Sequence, residues 1–495
     1  MTIVLLAGCG GGGTSMPASL AHAGPAQSSG PAPQPSAQAT VAGPIAGVSG
    51  NSINLNGGPN CGYVNVTYTS ATTIEENGYS LAPGIYATVY GSGSCATSVT
   101  ASAISLSNAA TSTPNPGATN GSATIPQTHV PTADYLGGFA GTTSVTATTA
   151  ATVLSWAEVS TQDSNAASTA GIKTLEYIDP LEQATTDPLY TSDESTFSHD
   201  CSGNRIAVPY VAGQWLMAPG SADLSSLLNN WQTAQESQGH VDAFLYDNID
   251  DLYGLTTLPC AATQSSWDSQ NASLIGNSNY PVVFNGYALN SDAASLINGA
   301  TVKGAMAEEC YGRKSQPSPP YTTDSTWVTD ENLQLAAAAA GKWYFCYNTP
   351  TTDASQSIAL RQYIYASFLL SYSPTSSVLW EYFSTPSGLH VFPETKIVPT
   401  SPLLQAPSSV SSLQSGGVYV REYGACYLAG TTIGRCAAVV NSSASSSYGM
   451  PSLQQSYSHT MAISGSGTLD GGSVSASGPA PPSSLPPETG LILTQ

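Results

Sequence analysis

The chain has 495 residues, with 31 Asp or Glu against 10 Lys or Arg, which gives a formal net charge of −21 at pH 7. A chain of this length buries a substantial core and is expected to form two or three domains. Nucleic acids and anionic membrane surfaces are bound through clustered Lys and Arg, so this composition argues against both and favours an uncharged partner.

The first nine residues end in Leu-Ala-Gly-Cys9, which resembles the processing box of bacterial lipoproteins with Cys9 as the lipidated residue. Residues 10–42 then form a tether of Gly, Ser, Pro, Ala and Gln that cannot bury enough surface to fold. The resemblance implies that residues 1–9 are the remnant of a lipoprotein signal. It also implies an extracellular or cell-envelope location with a lipid anchor as the only link to a membrane. The alternative is a chance occurrence of these four residues.

Cysteine number agrees with export. Eight of the nine cysteines remain when Cys9 is set aside, and an even set in an exported chain predicts disulfides. Proximity in the sequence favours pairing Cys61 with Cys95 and Cys426 with Cys436. A zinc site is the weaker interpretation because no Cys-x-x-Cys occurs.

Residues 43–107 contain five short segments of alternating apolar and polar residues, which predicts a small antiparallel β-barrel. The order of the segments, with Leu-Ala-Pro-Gly at 81–84 before a strand, resembles the oligonucleotide/oligosaccharide-binding (OB) modules of bacterial lipoproteins. We expect this OB-like domain to be a spacer or a weak carbohydrate-binding module. A linker at residues 108–128 follows it.

Residues 129–400 alternate between apolar runs and helical segments. Eight runs have strand character, and they lie at residues 135–139, 152–157, 172–178, 241–246, 280–284, 302–306, 342–347 and 378–383. Helical candidates between them include residues 222–238, 290–298, 329–340 and 355–372. Eight strand–helix repeats predict an α/β fold, a TIM-like (β/α)8 barrel. An open doubly wound sheet is the alternative, but no G-x-G-x-x-G turn follows a strand.

Two further segments frame this barrel. Residues 180–219 form a long insertion between the third and fourth strands, which we expect to be a wall of the substrate cleft held by a disulfide. Residues 401–495 return to strand-like segments and predict a C-terminal all-β sandwich packed against the barrel.

The fourth strand ends in a polar cluster that begins at Asp247. An apolar run stops there, and acids or amides occupy four of the five positions 247–251. The carboxyl ends of barrel strands carry the chemistry in TIM-barrel enzymes, so Asp247 is the first catalytic candidate. The alternative is an Asp that caps a helix or shapes a turn.

Val241-Asp242 followed by Tyr246-Asp247-Asn248 resembles the fourth-strand motif of the α-galactosidase-like (clan D) glycoside hydrolases, V-D-x-x-K-Y-D-N. Uncharacterised glycosyl hydrolases built on the same barrel fit equally well. The resemblance implies a glycoside hydrolase in which Asp247 is the nucleophile. Leu245 stands where the family has Lys, so the contacts of that Lys are not carried over.

Glycoside hydrolysis needs a second carboxyl group to protonate the leaving oxygen. In the resembling family it comes from the end of the sixth strand, usually as Asp, and here that position holds Glu308 and Glu309. Strand alternation leaves the choice open because a twist or bulge at the strand end reverses it. We favour Glu308, with Glu309 as the alternative.

Other strand ends supply candidates for holding sugar hydroxyls or stacking on sugar rings. These candidate substrate-binding residues are Asp179, Tyr246, Asn248, Asn285, Tyr311, Asn348 and Glu381. Trp156 and Trp343 are expected in the core, and Asp250 and Asp251 as loop or helix-starting acids.

Competing chemistries lack their motifs. The sequence has no G-x-S-x-G elbow after a strand, no Walker loop and no H-E-x-x-H helix, so we expect no cofactor and no metal. The leading hypothesis is a surface-anchored, monomeric glycoside hydrolase that acts on a poly- or oligosaccharide with retention. The alternatives are a non-catalytic polysaccharide-binding envelope lipoprotein and a purely structural envelope protein.

Overall fold

The computed structural model describes residues 39–56, 63–70, 72–75, 81, 86–94, 98–107, 128–136, 146–209, 211–249, 252, 255–287, 293–312, 321–348, 358–381, 392–403, 407–465 and 472–495. They fall into two compact units, one within residues 11–124 and one within residues 125–495. Each unit is described separately below.

The N-terminal unit is built of strands. Its elements are β1 Ala39–Ser49, β2 Ser52–Asn56, β3 Tyr63–Thr67, β4 Thr73–Glu75, β5 Tyr86–Ser94 and β6 Ser98–Ser107. The strand order is β3-β2-β1-β5-β6-β4, and a parallel β3–β6 pairing links the sheet back on itself. Alternate apolar residues such as Ile53, Leu55 and Val66 fill its interior, as period-two patterning requires.

The second unit begins with eight strands that alternate with helices. Its first elements are β7 Thr132–Leu136, α1 Ala147–Ala150, β8 Trp156–Val159, α2 Thr161–Thr169, β9 Lys173–Ile178, β10 Glu182–Ala184, β11 Gln214–Leu216, α3 Ala222–Glu236 and β12 Ala243–Tyr246. There follow α4 Gln264–Gly276, β13 Val282–Asn285, α5 Ala293–Leu296, β14 Val302–Glu308, α6 Asp324–Ala339, β15 Trp343–Asn348, α7 Ile358–Leu370 and β16 Ser377–Glu381.

The eight main strands close a parallel barrel in the order β12-β13-β14-β15-β16-β7-β8-β9. Each of the seven connections between consecutive barrel strands contains a helix. The predicted eight-stranded barrel is therefore confirmed. Two predicted strands are displaced along the sequence, because the first begins at Thr132 and the second at Trp156, after a turn over residues 151–153.

Side-chain alternation separates the two faces of the barrel wall. Trp156, Leu245, Val283 and Phe345 belong to the cluster that fills the barrel interior. The residues between them pack outward in a second cluster with the helices. The position of a residue in its strand thus decides whether its side chain reaches the mouth of the barrel or the helix layer.

The C-terminal part is one large sheet with smaller ones beside it. Its strands are β17 Ile397–Pro402, β18 Gln414–Ser415, β19 Val418–Leu428, β20 Thr431–Asn441, β21 Tyr448–Gly449, β22 His459–Thr460, β23 Ala462–Gly465, β24 Gly472–Ser475, β25 Ser484–Leu485 and β26 Thr489–Thr494. Short 3₁₀ helices lie at Glu194–Thr196, Pro393–Lys396 and Val410–Leu413. The large sheet has the order β17-β19-β20-β26-β22, and β21–β25 and β23–β24 form two-stranded sheets. The C-terminal part is thus built of strands, as expected, and its described strands form one large sheet and two small ones, not two sheets of similar size.

A barrel helix covers one face of the large sheet. The Tyr423 hydroxyl donates to the Leu369 carbonyl at the end of α7, and Arg421 donates to the Leu370 and Tyr372 carbonyls at 2.9 and 3.0 Å. Arg361 of α7 forms a fully buried ion pair with Glu394. The barrel and the sheet therefore share one core.

Three disulfides lie in the described part of the chain. They join Cys201 to Cys260, Cys310 to Cys346 and Cys426 to Cys436. The predicted Cys426–Cys436 pair is confirmed, whereas Cys9, Cys61 and Cys95 lie outside the described residues. Among the helices that the structure describes, none has the length and apolar character needed to cross a bilayer.

Candidate active site

Asp247 follows the fourth barrel strand and points into the mouth of the barrel. Leu245 lies in the barrel interior and Tyr246 packs on the helix side, so alternation turns the next side chain inward. Asp247 is 9% exposed, which leaves its mostly buried carboxylate within reach of the mouth.

Three donors hold the Asp247 carboxylate. The Tyr177 hydroxyl donates to Oδ2 at 2.7 Å, Asn285 Nδ2 donates to Oδ1 at 2.7 Å, and the Asn248 backbone N–H donates to Oδ1 at 2.9 Å. Tyr177 and Asn285 lie on β9 and β13, the two strands that pair with β12. Both neighbouring strands therefore fix the orientation of this carboxylate before any ligand arrives.

Glu308 ends β14 and faces the same space. Met306 lies in the barrel interior, so alternation places Glu308 inward as well. Asn285 Nδ2 lies 3.2 Å from Glu308 Oε2 and 2.7 Å from Asp247 Oδ1. These two oxygens are at most about 6 Å apart, because their separation cannot exceed the sum of the two distances. One amide thus bridges the two carboxyl groups.

The environment of Glu308 favours its protonated form. Burial raises the pKa of the Glu308 carboxyl from 4.5 to about 7, and the charge of Asp247 adds to the effect. The hydrogen bond from Asn285 opposes it by lowering this pKa. The Glu308 residue as a whole is exposed to solvent, whereas the barrel atoms around its carboxyl group disfavour the charged form.

Glu309 leaves the line of the strand. Its φ of 55° lies in the left-handed region, which residues other than glycine rarely adopt. Strand alternation therefore stops at Glu308. Glu308, one of the two acids that the sequence left open, contacts Asn285.

Asp179 and Asn248 contact each other beneath the site. Asn248 has a left-handed φ of 56°, and its Nδ2 donates to Asp179 Oδ2 at 2.7 Å. The other Asp179 oxygen accepts from the backbone N–H groups of Leu181 and Glu182 at 2.9 and 3.0 Å. Burial, followed by the charges of Glu182 and Asp247, raises the Asp179 pKa. The contact between these two side chains thus stabilises the turn after Asp247.

Three predicted substrate-binding residues face away from the mouth, which corrects the prediction for them. Tyr246 and Tyr311 are fully buried on the helix side and bond Gln232 at 2.8 Å and Gln334 at 2.7 Å, respectively. Asn348 is also fully buried and contacts the Cys310–Cys346 disulfide. Tyr246 and Asn348 occupy outward positions of their strands, and Tyr311 follows the left-handed turn at Glu309.

One predicted substrate-binding residue, Glu381, has no described side chain. The backbone of Glu381 ends β16, but its side chain lies outside the described part of the chain, as do Asp250 and Asp251. Trp156 is fully buried and Trp343 packs against the same interior cluster, as predicted.

The sequence analysis missed two mouth residues, Tyr177 and Glu158. Tyr177 contacts Asp247 directly. Glu158 lies two positions after the inward-facing Trp156 and therefore also points inward. Burial raises its pKa from 4.5 to about 8, with added contributions from the charges of Asp247, Glu176 and Asp134. The signal in the sequence was an acid at the end of the second strand, but the predicted strand ended one residue earlier, at residue 157.

Aromatic rings form the floor of this mouth. Tyr347 and Trp380 lie inward with ring centroids 5.5 Å apart, and Trp156 packs edge-on against Phe345 at 5.2 Å. Such a floor excludes water from below, so the carboxyl groups above it are approached only from the open end.

The insertion after β9 lies at the same end of the barrel as the site, because both follow the carboxyl ends of strands. It contains β10 and β11, which pair with each other. The Cys201–Cys260 disulfide joins it to the loop that follows Asp247. The expected disulfide in this insertion is therefore present.

No family model matches the chain, and no curated protein is significantly similar to it. Solved structures of glycoside hydrolases are among those similar to it. Ega3 of Aspergillus fumigatus, in complex with galactosamine, is 13% identical, with 52% of this chain and 92% of that chain covered and a TM-score of 0.34. The glycoside hydrolase domain of PelA from Pseudomonas aeruginosa is 9% identical, with 52% and 98% covered and a TM-score of 0.35.

The α-galactosidase from Lactobacillus brevis is 10% identical, with 66% of this chain and 45% of that chain covered and a TM-score of 0.29. With TM-scores this low, these likenesses carry no argument about the reaction, the substrate or the role of any residue. Those questions depend on the geometry of this chain's own site.

Proposed function

We propose that this protein is a glycoside hydrolase in which Asp247 is the nucleophile and Glu308 the general acid/base. The observation that carries the proposal is Asn285, whose amide reaches both carboxyl groups and limits the separation of their oxygens to about 6 Å. Retaining enzymes hold their carboxyl groups roughly 5–5.5 Å apart, and inverting enzymes roughly 6.5–9.5 Å. The upper limit of about 6 Å on the distance between these carboxyl oxygens therefore favours a retaining mechanism.

The two steps of retention assign a different state to each group. Glu308 gives its proton to the leaving glycosidic oxygen while Asp247 attacks the anomeric carbon, so the glycosidic bond breaks and a glycosyl ester forms. The Glu308 carboxylate then takes a proton from water, which attacks the same carbon and releases Asp247. The raised pKa of Glu308 suits the first step, and the donors around Asp247 suit both.

The test is turnover on a panel of oligosaccharides, with released reducing ends as the measurement. Asp247→Asn keeps the shape of the side chain but removes the attacking charge, so turnover should fall by at least about 10³-fold. The matched control is Asp223→Asn, an exposed acid in the first turn of α3, which should leave turnover unchanged. NMR of the first product should show the anomeric configuration of the substrate.

Two outcomes would count against the proposal. An Asp247→Asn protein that keeps wild-type turnover removes the two-carboxylate mechanism. A wild type that binds glycans but releases no reducing ends supports the alternative, a non-catalytic polysaccharide-binding protein.

We also propose that the N-terminal unit is an OB-like module that retains the protein on its polysaccharide. Its strand order, with the parallel β3–β6 pairing, supports this assignment. Removing residues 39–107 should weaken binding of Asp247→Asn to insoluble glycan but leave the wild-type rate on soluble oligosaccharides unchanged. Equal binding with and without the unit would leave it a spacer.

Anchoring through a lipid on Cys9 is the corresponding proposal for localisation. It is supported by Leu-Ala-Gly-Cys9 and the tether that follows. Cys9→Ser should move the protein from the membrane fraction to the soluble fraction of a bacterial host. Unchanged membrane association of this variant would argue against lipidation.

A further inference from the structure

Two side chains on β7 and β8 line the mouth beside the catalytic pair. Tyr135 and Glu158 are register partners in the parallel β7–β8 pairing. Each lies two positions after an inward-facing residue, Ala133 and Trp156 respectively, so both point to the interior side of the barrel. They lie at the carboxyl ends of their strands, and therefore at the same end as Asp247 and Glu308.

Tyr135 is unusually exposed for a large side chain in this protein. It is 45% exposed, and the only other large hydrophobic residues of the described chain with comparable exposure are Val48 and Leu258. An aromatic ring left accessible in a concave, partly polar mouth is a surface on which a sugar ring can stack. Tyr347 and Trp380, by contrast, are buried.

Glu158 presents a carboxyl group to the same space. No side chain or backbone group of the described residues forms a hydrogen bond with it, although its side chain is only partly exposed. The titratable groups that act on it are Asp134 on β7, Glu176 and Tyr177 on β9, and Asp247 after β12. These acids and burial both favour a protonated Glu158, which can donate a hydrogen bond as well as accept one.

Tyr177 connects this pair to the reacting atoms. Its hydroxyl donates to Asp247 Oδ2 at 2.7 Å, and its strand β9 pairs with both β8 and β12. Glu158 on β8 is thus one strand away from Tyr177, the residue that contacts the nucleophile, and Tyr135 on β7 is two strands away. A sugar residue beside the scissile bond would reach them.

We infer that Tyr135 and Glu158 form a sugar-binding subsite in which a sugar ring stacks on Tyr135 and a ring hydroxyl accepts a hydrogen bond from the Glu158 carboxylic acid. This inference rests on the proposed glycoside hydrolase function. To that function the inference adds a second binding position, beside the scissile bond. The group recognised at this position is an uncharged sugar ring that bears hydroxyl groups. If Glu158 had a purely structural role, KM would not rise as its carboxyl group ionises.

Four variants test the subsite with the oligosaccharide that the wild type turns over fastest. Glu158→Ala and Tyr135→Ala should each raise KM about tenfold, with a smaller change in kcat. Glu158→Gln keeps a donor and should show wild-type KM at pH 6, and Tyr135→Phe keeps the ring and should do the same. The wild-type KM should rise between pH 7 and pH 9 as Glu158 ionises, whereas the KM of Glu158→Gln should stay level.

Unchanged KM in both alanine variants would overturn the subsite, as would a KM of Glu158→Gln that follows pH as the wild type does. Circular dichroism of each variant shows whether it folds. If Glu158→Ala does not fold, the Glu158→Gln profile and Tyr135→Ala decide the matter. A wild type inactive on the whole panel would instead reject the proposed function and the subsite with it, whereas an active wild type with unaffected variants rejects the subsite alone.

Discussion

Asn285 donates to Asp247 and Glu308 through the same amide nitrogen, so its substitution acts on both carboxyl groups at once. Its bond lowers the Glu308 pKa against the opposing effects of burial and of Asp247. Asn285→Asp removes that bond and adds a third acid. We expect a lower kcat and an alkaline limb of activity displaced to higher pH, measured as kcat/KM against pH.

Asn229→Asp is a suitable control, because it makes the same change at a half-buried residue of α3, in the helix layer outside the barrel. There the amide bonds the Asn277 carbonyl and the Asn279 backbone N–H. Asn229→Asp should leave both kcat and the pH of the alkaline limb of kcat/KM unchanged. An alkaline limb that moves to lower pH in Asn285→Asp would contradict the bridging role.

The pH dependence of the wild type follows from Glu308. Its pKa in the folded protein is about 7, and the proposed first step needs its protonated form. Activity should therefore be retained below about pH 7 and fall as the pH rises through that value. The measurement is kcat/KM from pH 4 to pH 9, and an activity that rises above pH 7 would assign Glu308 another role.

At this scale, alternation along the strands predicted part of the site and failed where the backbone changed. Asp247 was found because an apolar strand ends abruptly in front of it. Glu308 and Glu309 could not be separated, since the left-handed turn at Glu309 has no sequence signal such as glycine. Tyr246, Tyr311 and Asn348 were misassigned because proximity to a strand end was used without the facing of each side chain.

At the scale of elements, the sequence predicted the number and order of barrel strands, because a parallel barrel strand is a short apolar run between polar loops. Bounds were less well predicted for the first two strands, where residues 152–155 are apolar or small but lie mostly in a turn before β8. That displacement removed Glu158 from the candidate list. The disulfide partners of Cys201 and Cys310 are brought close by tertiary contacts, so they could not be predicted from spacing in the sequence.

The Cys201–Cys260 disulfide provides a prediction for the insertion. It ties the insertion to the loop after β12, whereas the catalytic pair is held by the barrel strands. Cys201→Ser with Cys260→Ser should therefore raise KM roughly tenfold, about 1.4 kcal/mol of lost binding, with kcat less affected. The control is Cys426→Ser with Cys436→Ser in the C-terminal sheet, which should leave KM unchanged. A fall in kcat with constant KM would place the disulfide's effect on the chemistry instead.

For the whole molecule, three acids with raised pKa values link stability to pH. The pKa values of Glu158, Glu176 and Glu308 are raised from 4.5 to about 8, 7 and 7, each chiefly by burial. The unfolded chain loses these protons near pH 4.5, while the folded protein keeps them until the pH passes 7 to 8. Between these values the folded state binds more protons than the unfolded state, so its stability decreases as the pH rises.

His129 makes stability rise with pH instead of fall. Burial lowers its pKa from 6.5 to about 4, so between these two values the folded state binds fewer protons than the unfolded chain. A thermal unfolding series from pH 6.5 to pH 8.5 avoids this contribution. We expect Tm to fall by several degrees across that range, measured by circular dichroism at constant ionic strength. Glu158→Gln cannot ionise at this position, so it should show a shallower fall. A Tm that stays constant or rises with pH would mean that these carboxyl groups are already ionised in the folded protein. Glu308 would then lack the proton that the first step of hydrolysis requires.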